Sequence, residues 1–331
     1  MQEHLIVATS QGVAVCQREK GKWREIRRSL KKLGVNCVIA CSSGILAGTY
    51  KGLYRSSDVG ETWQEASQGL SIKHVRWLDY HTNQPNFILT GTEPAAIFVS
   101  RDGGHSWREC PEVTGMRQEY GWRLPYSPEA GCVRGFTISD PAAGPTNRAY
   151  AAVEDGCVLV SNDGGEHWEL AQGSRGNPDH RPGEGMVHSD VHSITVHPTS
   201  ADLVYAPTGG GFFRSQDGGA SWELLYGGAY TRAVWVDPTD SQHMILGPAD
   251  GVDRNGRIEE SLDGGQTWRS ANIGLETPWP NHMVERFSHA GQELLGVLSN
   301  GEILAAPLDD FQWRRILENI TNANALTNLV V

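Results

Sequence analysis

The sequence predicts an all-β chain, a seven-bladed β-propeller, on two observations. An eight-residue pattern, Ser-x-Asp-x-Gly-x-x-Trp, occurs five times, from Ser56, Ser100, Ser161, Ser215 and Ser261 to Trp63, Trp107, Trp168, Trp222 and Trp268. Two decayed copies, Arg18 to Trp23 and Leu308 to Trp313, extend the series to seven units. A period of roughly 40 to 60 residues holding about four strands is that of a propeller blade.

Each copy reads as a tight turn. The Asp side chain can accept from nearby backbone N–H groups, Gly takes a positive φ, and Trp plugs the base of the hairpin. Alternating apolar runs flank the turns, as in Gly211-Phe-Phe-Arg before the fourth copy and Trp222-Glu-Leu-Leu after it. Each turn therefore joins the third and fourth strands of a blade. The innermost strands share a register: Val35-Asn36, Val75-Arg76, Val133-Arg134, Val191-His192, Thr231-Arg232 and Val284-Glu285, with Ala323-Asn324 supplying the seventh. The first unit lacks an inner strand of its own, so the segment from Ala323 to Val331 is expected to close the ring against strands near Leu5 to Glu25.

The repeated turn resembles the Asp box, the bacterial neuraminidase repeat of sialidases, sortilin-type receptors, some glucanases and photosystem assembly factors. The resemblance covers essentially the whole chain and is nearest to the sialidase-like, glycosyl-hydrolase-like proteins of bacteria and archaea. It implies a propeller, residues 1–331 as one domain, and, in its enzymatic members, glycoside hydrolysis. Gly91-Thr-Glu-Pro, Trp122 to Arg134, Val153-Glu-Asp-Gly and Asp190-Val-His192 look like features of that group. Against the sialidase pattern, the blade number is seven and the Phe/Tyr-Arg-Ile-Pro segment is missing.

Composition narrows the partners. The net charge of −11, without a basic run, disfavours nucleic acid or an anionic membrane. The opening residues, Met1 to Val7, hold neither a basic n-region nor a long apolar stretch, so no signal peptide or membrane span is expected and the expected location is cytoplasmic. Six cysteines without Cys-x-x-Cys spacing read as buried thiols rather than a zinc site or disulfide framework.

Function is expected on the face opposite the repeated turns. Two long connections, Met116 to Tyr126 and Gly173 to Gly183, belong to that face and overhang the channel mouth. The inner-strand register places Asn324, Asn36, Arg76, Arg134, His192, Arg232 and Glu285 in one ring, where an ordinary core would be apolar. Glu93 and Glu154 enter from loops between second and third strands, and Trp122 from a long connection. The ring is expected to bind a small anionic or sugar-like, polyhydroxylated ligand, with Arg76, Arg134, Arg232, His192, Glu93, Glu154 and Trp122 as contacts. By similarity to sialidases, Tyr230 with Glu285 would be the activated nucleophile and Asp190 the acid. A second reading is a divalent metal held by His74, His188 and His192, although residues four apart on a straight strand stand about 13 Å apart. A third is a non-enzymatic binding or assembly platform.

Overall fold

The computed structural model describes residues 2–127, 130–139, 147–178 and 181–330. Its strands form seven four-stranded antiparallel sheets arranged as a β-propeller, with one short helix. Blade 1 consists of Ala323–Val330, Glu3–Thr9, Gly12–Glu19 and Lys22–Ser29, from the axis outward. Blade 2 follows as Val35–Cys41, Gly44–Thr49, Gly52–Ser56 and Gln64–Glu65. The inner strands of blades 3 to 7 are Val75–His81, Cys132–Ile138, Thr195–Val196, Tyr230–Asp237 and Val284–Ala290. Closure occurs as expected: Glu3 pairs with Val330, and the ladder runs to Thr9 opposite Ala323. Val331 lies outside the described residues.

The five intact turns all join third to fourth strands and share one set of bonds. In the first, Gly60 N–H donates to Ser56 Oγ at 2.8 Å, Ser56 Oγ–H to Asp58 Oδ1 at 2.7 Å, and Thr62 N–H to the same carboxylate oxygen at 2.8 Å. The arrangement recurs around Asp102, Asp163, Asp217 and Asp263. These bonds pull the carboxylates below their ordinary range, to about 2 for Asp263, where the Thr267 hydroxyl and N–H are the largest cause. The core lies between blades. Leu89 and Val99 of blade 3, for example, pack with Val133, Ala151 and Leu159 of blade 4. Second-strand glycines permit this approach: a Cβ on Gly91 would stand 2.6 Å from Val133, and one on Gly247 2.6 Å from Val284.

Two local expectations need correction. The connection between blades 3 and 4 is not wholly loop, because Pro111–Tyr120 is an α-helix that opens on proline and ends at Gly121 with φ 64°. Alternating patterns do not reveal it, since Val113 is its one buried residue. The inner strand of blade 5 shrinks to Thr195–Val196 plus an isolated bridge between Val191 and Thr208. Pro207 on the neighbouring strand has no N–H to donate, so the ladder beside His192 is incomplete. The six cysteines are buried and free. Among the described residues no helix is long and apolar enough to cross a membrane.

Candidate functional site

The inner strands carry their ring residues on β-bulges. In blade 2 the register steps from Val35 opposite Thr49 to Cys37 opposite Gly48, leaving Asn36 extra. The same step isolates Arg76, Arg134, Glu285 and Asn324, and in blade 6 it falls within Arg232-Ala233. In blade 5, Val191 faces Thr208 and Thr195 faces Tyr205, so four steps (195 − 191) oppose three (208 − 205). A bulge releases one residue from the ladder and re-aims its side chain. Seven such releases at one level turn an apolar register position into a polar ring around the axis.

The ring divides into three kinds of residue. Asn36 and Asn324 are lateral ties: their Nδ2 atoms donate at 2.8 Å to the carbonyls of Val75 and Val35, which begin the next inner strands. Their Oδ1 atoms remain available as acceptors. The arginines are paired with acids, of which Glu93 and Glu154 are buried and Glu285 half-buried. Arg76 lies 3.3 Å from Glu93, and Arg134 Nη1 is 3.3 Å from both oxygens of Glu154. Arg134 Nη2 also reaches Glu285 at 3.6 Å, and Glu285 in turn accepts from Arg232. Tyr126 donates to Glu154 at 2.5 Å. On the third side, His192 is fully enclosed, with Nε2 at 3.3 Å from Asp190 Oδ2 and its ring 4.7 Å from that of Tyr230.

A cavity of about 220 Å³ opens on this ring, lined by Arg76, Arg134, Glu285 and Arg286 together with Asn36, Asn324 and Ser299. A second cavity of about 210 Å³ shares Arg134, Glu285 and Arg286 with it and continues past Trp77, Ser193 and Thr195. Those three shared side chains form a charged partition across the channel. Arg286 was not foreseen from the sequence. Because Glu285 is bulged, both it and its successor face the channel, which simple alternation does not anticipate. Arg286 lies over the Trp77 ring at 3.9 Å and donates through Nε to the Asn324 carbonyl at 3.3 Å. Burial, reinforced by Arg134, lowers it to about 9, so it is still a cation at neutral pH.

The remaining sequence candidates fall into place or drop out. Trp122 is core: it is 1% exposed and donates its indole N–H to the Gly176 carbonyl, joining the two long connections instead of facing a ligand. Asp179 and His180 of the second connection lie outside the described residues. Tyr230 is the reverse of an activated nucleophile, since burial pushes its phenol up to about 12. Burial alone would raise Asp190, yet His192, Arg134 and His188 outweigh it and hold the carboxyl at about 2, without a proton to donate. Glu154 and Glu285 are likewise lowered by their arginines against the effect of burial.

The proposed histidine trio is not one ligand set. His74 sits 4.0 Å from Glu93 on blade 3, while His188 accepts from the Asp190 N–H at 3.2 Å on blade 5. Among the described residues the group able to share an ion is Glu154, Asp190 and His192. The incomplete ladder beside His192 lets these three converge from two blades.

No protein-family model matches the chain, and no curated protein does. Among solved structures, the chain is similar to YCF48 from Cyanidioschyzon merolae, with 16% identity, TM-score 0.63, and 93% of this chain and 92% of that one covered. It is also similar to an ancestral GH74 enzyme, with 17% identity, TM-score 0.62, and 89% and 38% coverage. The GH74 enzyme of Niastella koreensis follows with 15% identity, TM-score 0.58, and 85% and 45% coverage. The chain thus spans less than half the length of either GH74 protein. What these likenesses establish is the fold, a seven-bladed β-propeller.

Proposed function

We propose that the axial cavity binds a small anion carrying hydroxyl groups, such as a sugar acid, and that it binds without cleaving. The observation that carries this reading is Arg286. Among the described residues it has no carboxylate within ion-pair distance, whereas Arg76, Arg134 and Arg232 are each paired. Arg286 is half-buried and feels Glu285 only from beyond ion-pair distance, so a bound carboxylate would supply the direct, two-point partner it lacks. Asn36 and Asn324 add Oδ1 acceptors suited to ligand hydroxyls. The volume, about 220 Å³, is below the roughly 300–1,000 Å³ of drug-sized sites and suits a small ligand.

Acid catalysis by the three ring carboxyls is disfavoured by their protonation state. Glycoside hydrolysis needs a proton on one carboxyl near neutral pH. Asp190, Glu154 and Glu285 are all held below their ordinary values, and Tyr230 is held above its own. The likeness to GH74 enzymes is therefore compatible with a shared scaffold put to a binding use.

Calorimetric titration with glucuronate, N-acetylneuraminate and their uncharged parent sugars tests the reading. The acids should bind and the neutral sugars should bind far more weakly. Arg286→Met should weaken the acids by about 10- to 100-fold, the scale of one charge-assisted pair. Equal binding of acid and neutral sugar, or an unaffected Arg286→Met variant, would overturn it.

A further inference from the structure

We infer that Glu154, Asp190 and His192 form a binding site for one divalent first-row metal ion of the Zn²⁺ or Mn²⁺ type, set in the channel wall between blades 4 and 5. One ligand atom from each residue lies within 4.8 Å of the other two. One imidazole nitrogen with two carboxylate oxygens suits borderline-to-hard divalent ions; it does not suit the soft ions that thiolates select. Tetrahedral coordination at about 2.0–2.2 Å separates ligand atoms by about 3.4 Å. The His192 to Asp190 distance, 3.3 Å, already matches. Glu154 closes the remainder by turning its side chain.

A second observation is independent of the cluster of acids. The His192 side chain is wholly buried, yet among the described residues neither Nδ1 nor Nε2 makes a hydrogen bond. Buried ring nitrogens are ordinarily satisfied, and orphaned ones cost free energy. Nε2 lies 3.3 Å from Asp190 Oδ2 without the alignment of a hydrogen bond, and an ion shared by the two would complete the imidazole's coordination. The backbone is shaped around the same carboxylate: a Cβ on Gly209 would stand 2.1 Å from Asp190 Oδ2. His188 Nδ1 accepts from the Asp190 N–H and fixes the strand on the other side. The standing counter-charge is Arg134, at a long 3.3 Å from both Glu154 oxygens, and it retains Glu285 when Glu154 turns to the ion. Three protein ligands leave at least one position for water or an exogenous donor.

This inference does not rest on the anion reading and is tested without organic ligand. The tag-free chain is stripped with EDTA, then titrated with Zn²⁺ by calorimetry and with Mn²⁺ by the loss of its free-ion paramagnetic resonance signal. One ion per chain is expected, and His192→Gln and Asp190→Asn should each weaken it at least tenfold. Should either variant unfold, Glu154→Gln, which keeps acceptors for Tyr126 and Arg134, carries the same expectation. Absence of stoichiometric binding, or binding indifferent to all three substitutions, would show that His192 and Asp190 are a metal-free pair and overturn the site.

Discussion

Arg134 of blade 4 and Glu285 of blade 7 meet at 3.6 Å although they stand three blades apart, the largest separation a ring of seven allows. Glu285 also accepts from Arg232 of blade 6, so one carboxylate fastens opposite walls of the channel. The ring is thus braced through its centre as well as around its circumference.

Removing that charge should be expensive. Glu285→Gln leaves two guanidiniums facing a neutral amide and is expected to cost about 3 kcal/mol, the lower end for a broken buried pair because the side chain is 18% exposed. The pH dependence has a definite sign. Glu285 titrates below its unfolded value, so its contribution is complete above about pH 4.5 and is lost as pH falls through the folded value. Urea denaturation at pH 7 and pH 3.5 should show the gap between wild type and variant narrowing at the lower pH; a constant gap would refute the ion-pair origin.

The repeated turns offer a matched pair of tests on the opposite face. Asp163→Ala removes the acceptor of the Glu166 and His167 N–H groups and should cost about 1–3 kcal/mol. Val59 is the reverse case: it holds φ 56° where the other four copies place glycine. A β-branched residue is strained there, so Val59→Gly should stabilise by about 0.5–1 kcal/mol. Neither change should alter acid binding. A shifted affinity at preserved stability would bring these turns into the site.

Closure can be tested by truncation. Ending the chain at Asn322 removes the strand that pairs with Glu3–Thr9 and buries Ala323 and Ala325. The exposed edge and lost ladder should lower the melting temperature by more than about 5 °C. An unchanged melting temperature would mean that the ring does not depend on this strand.

Most of the architecture was legible because turn chemistry repeats locally. Five intact turns and two decayed copies ending in Trp23 and Trp313 give the blade count, and the shared register of the inner-strand starts gives the ring. The site was only half legible. The sequence shows that Arg134 and Glu285 lie at one level, but not that they pair across the axis, since pairing depends on channel width. Arg286 was hidden by a bulge that breaks the period of two. Asn36 and Asn324 share the ring position with the arginines, yet their short amides reach backbone and the long guanidiniums reach acids. Trp122 read as a ligand contact because it sits in a long connection, whereas Gly176, 54 residues further along, supplies the carbonyl that makes it core.

Pairing of the first strands with the last has a consequence for how the molecule is made. While residues 30 to 322 emerge, blade 1 is a three-stranded sheet whose inner edge offers the unpaired backbone of Glu3–Thr9 to any passing strand. Its partner strand arrives after more than 300 residues, a sequence separation whose closure entropy slows this pairing. Among the described strands, only there does the order of synthesis run against the order of the ring.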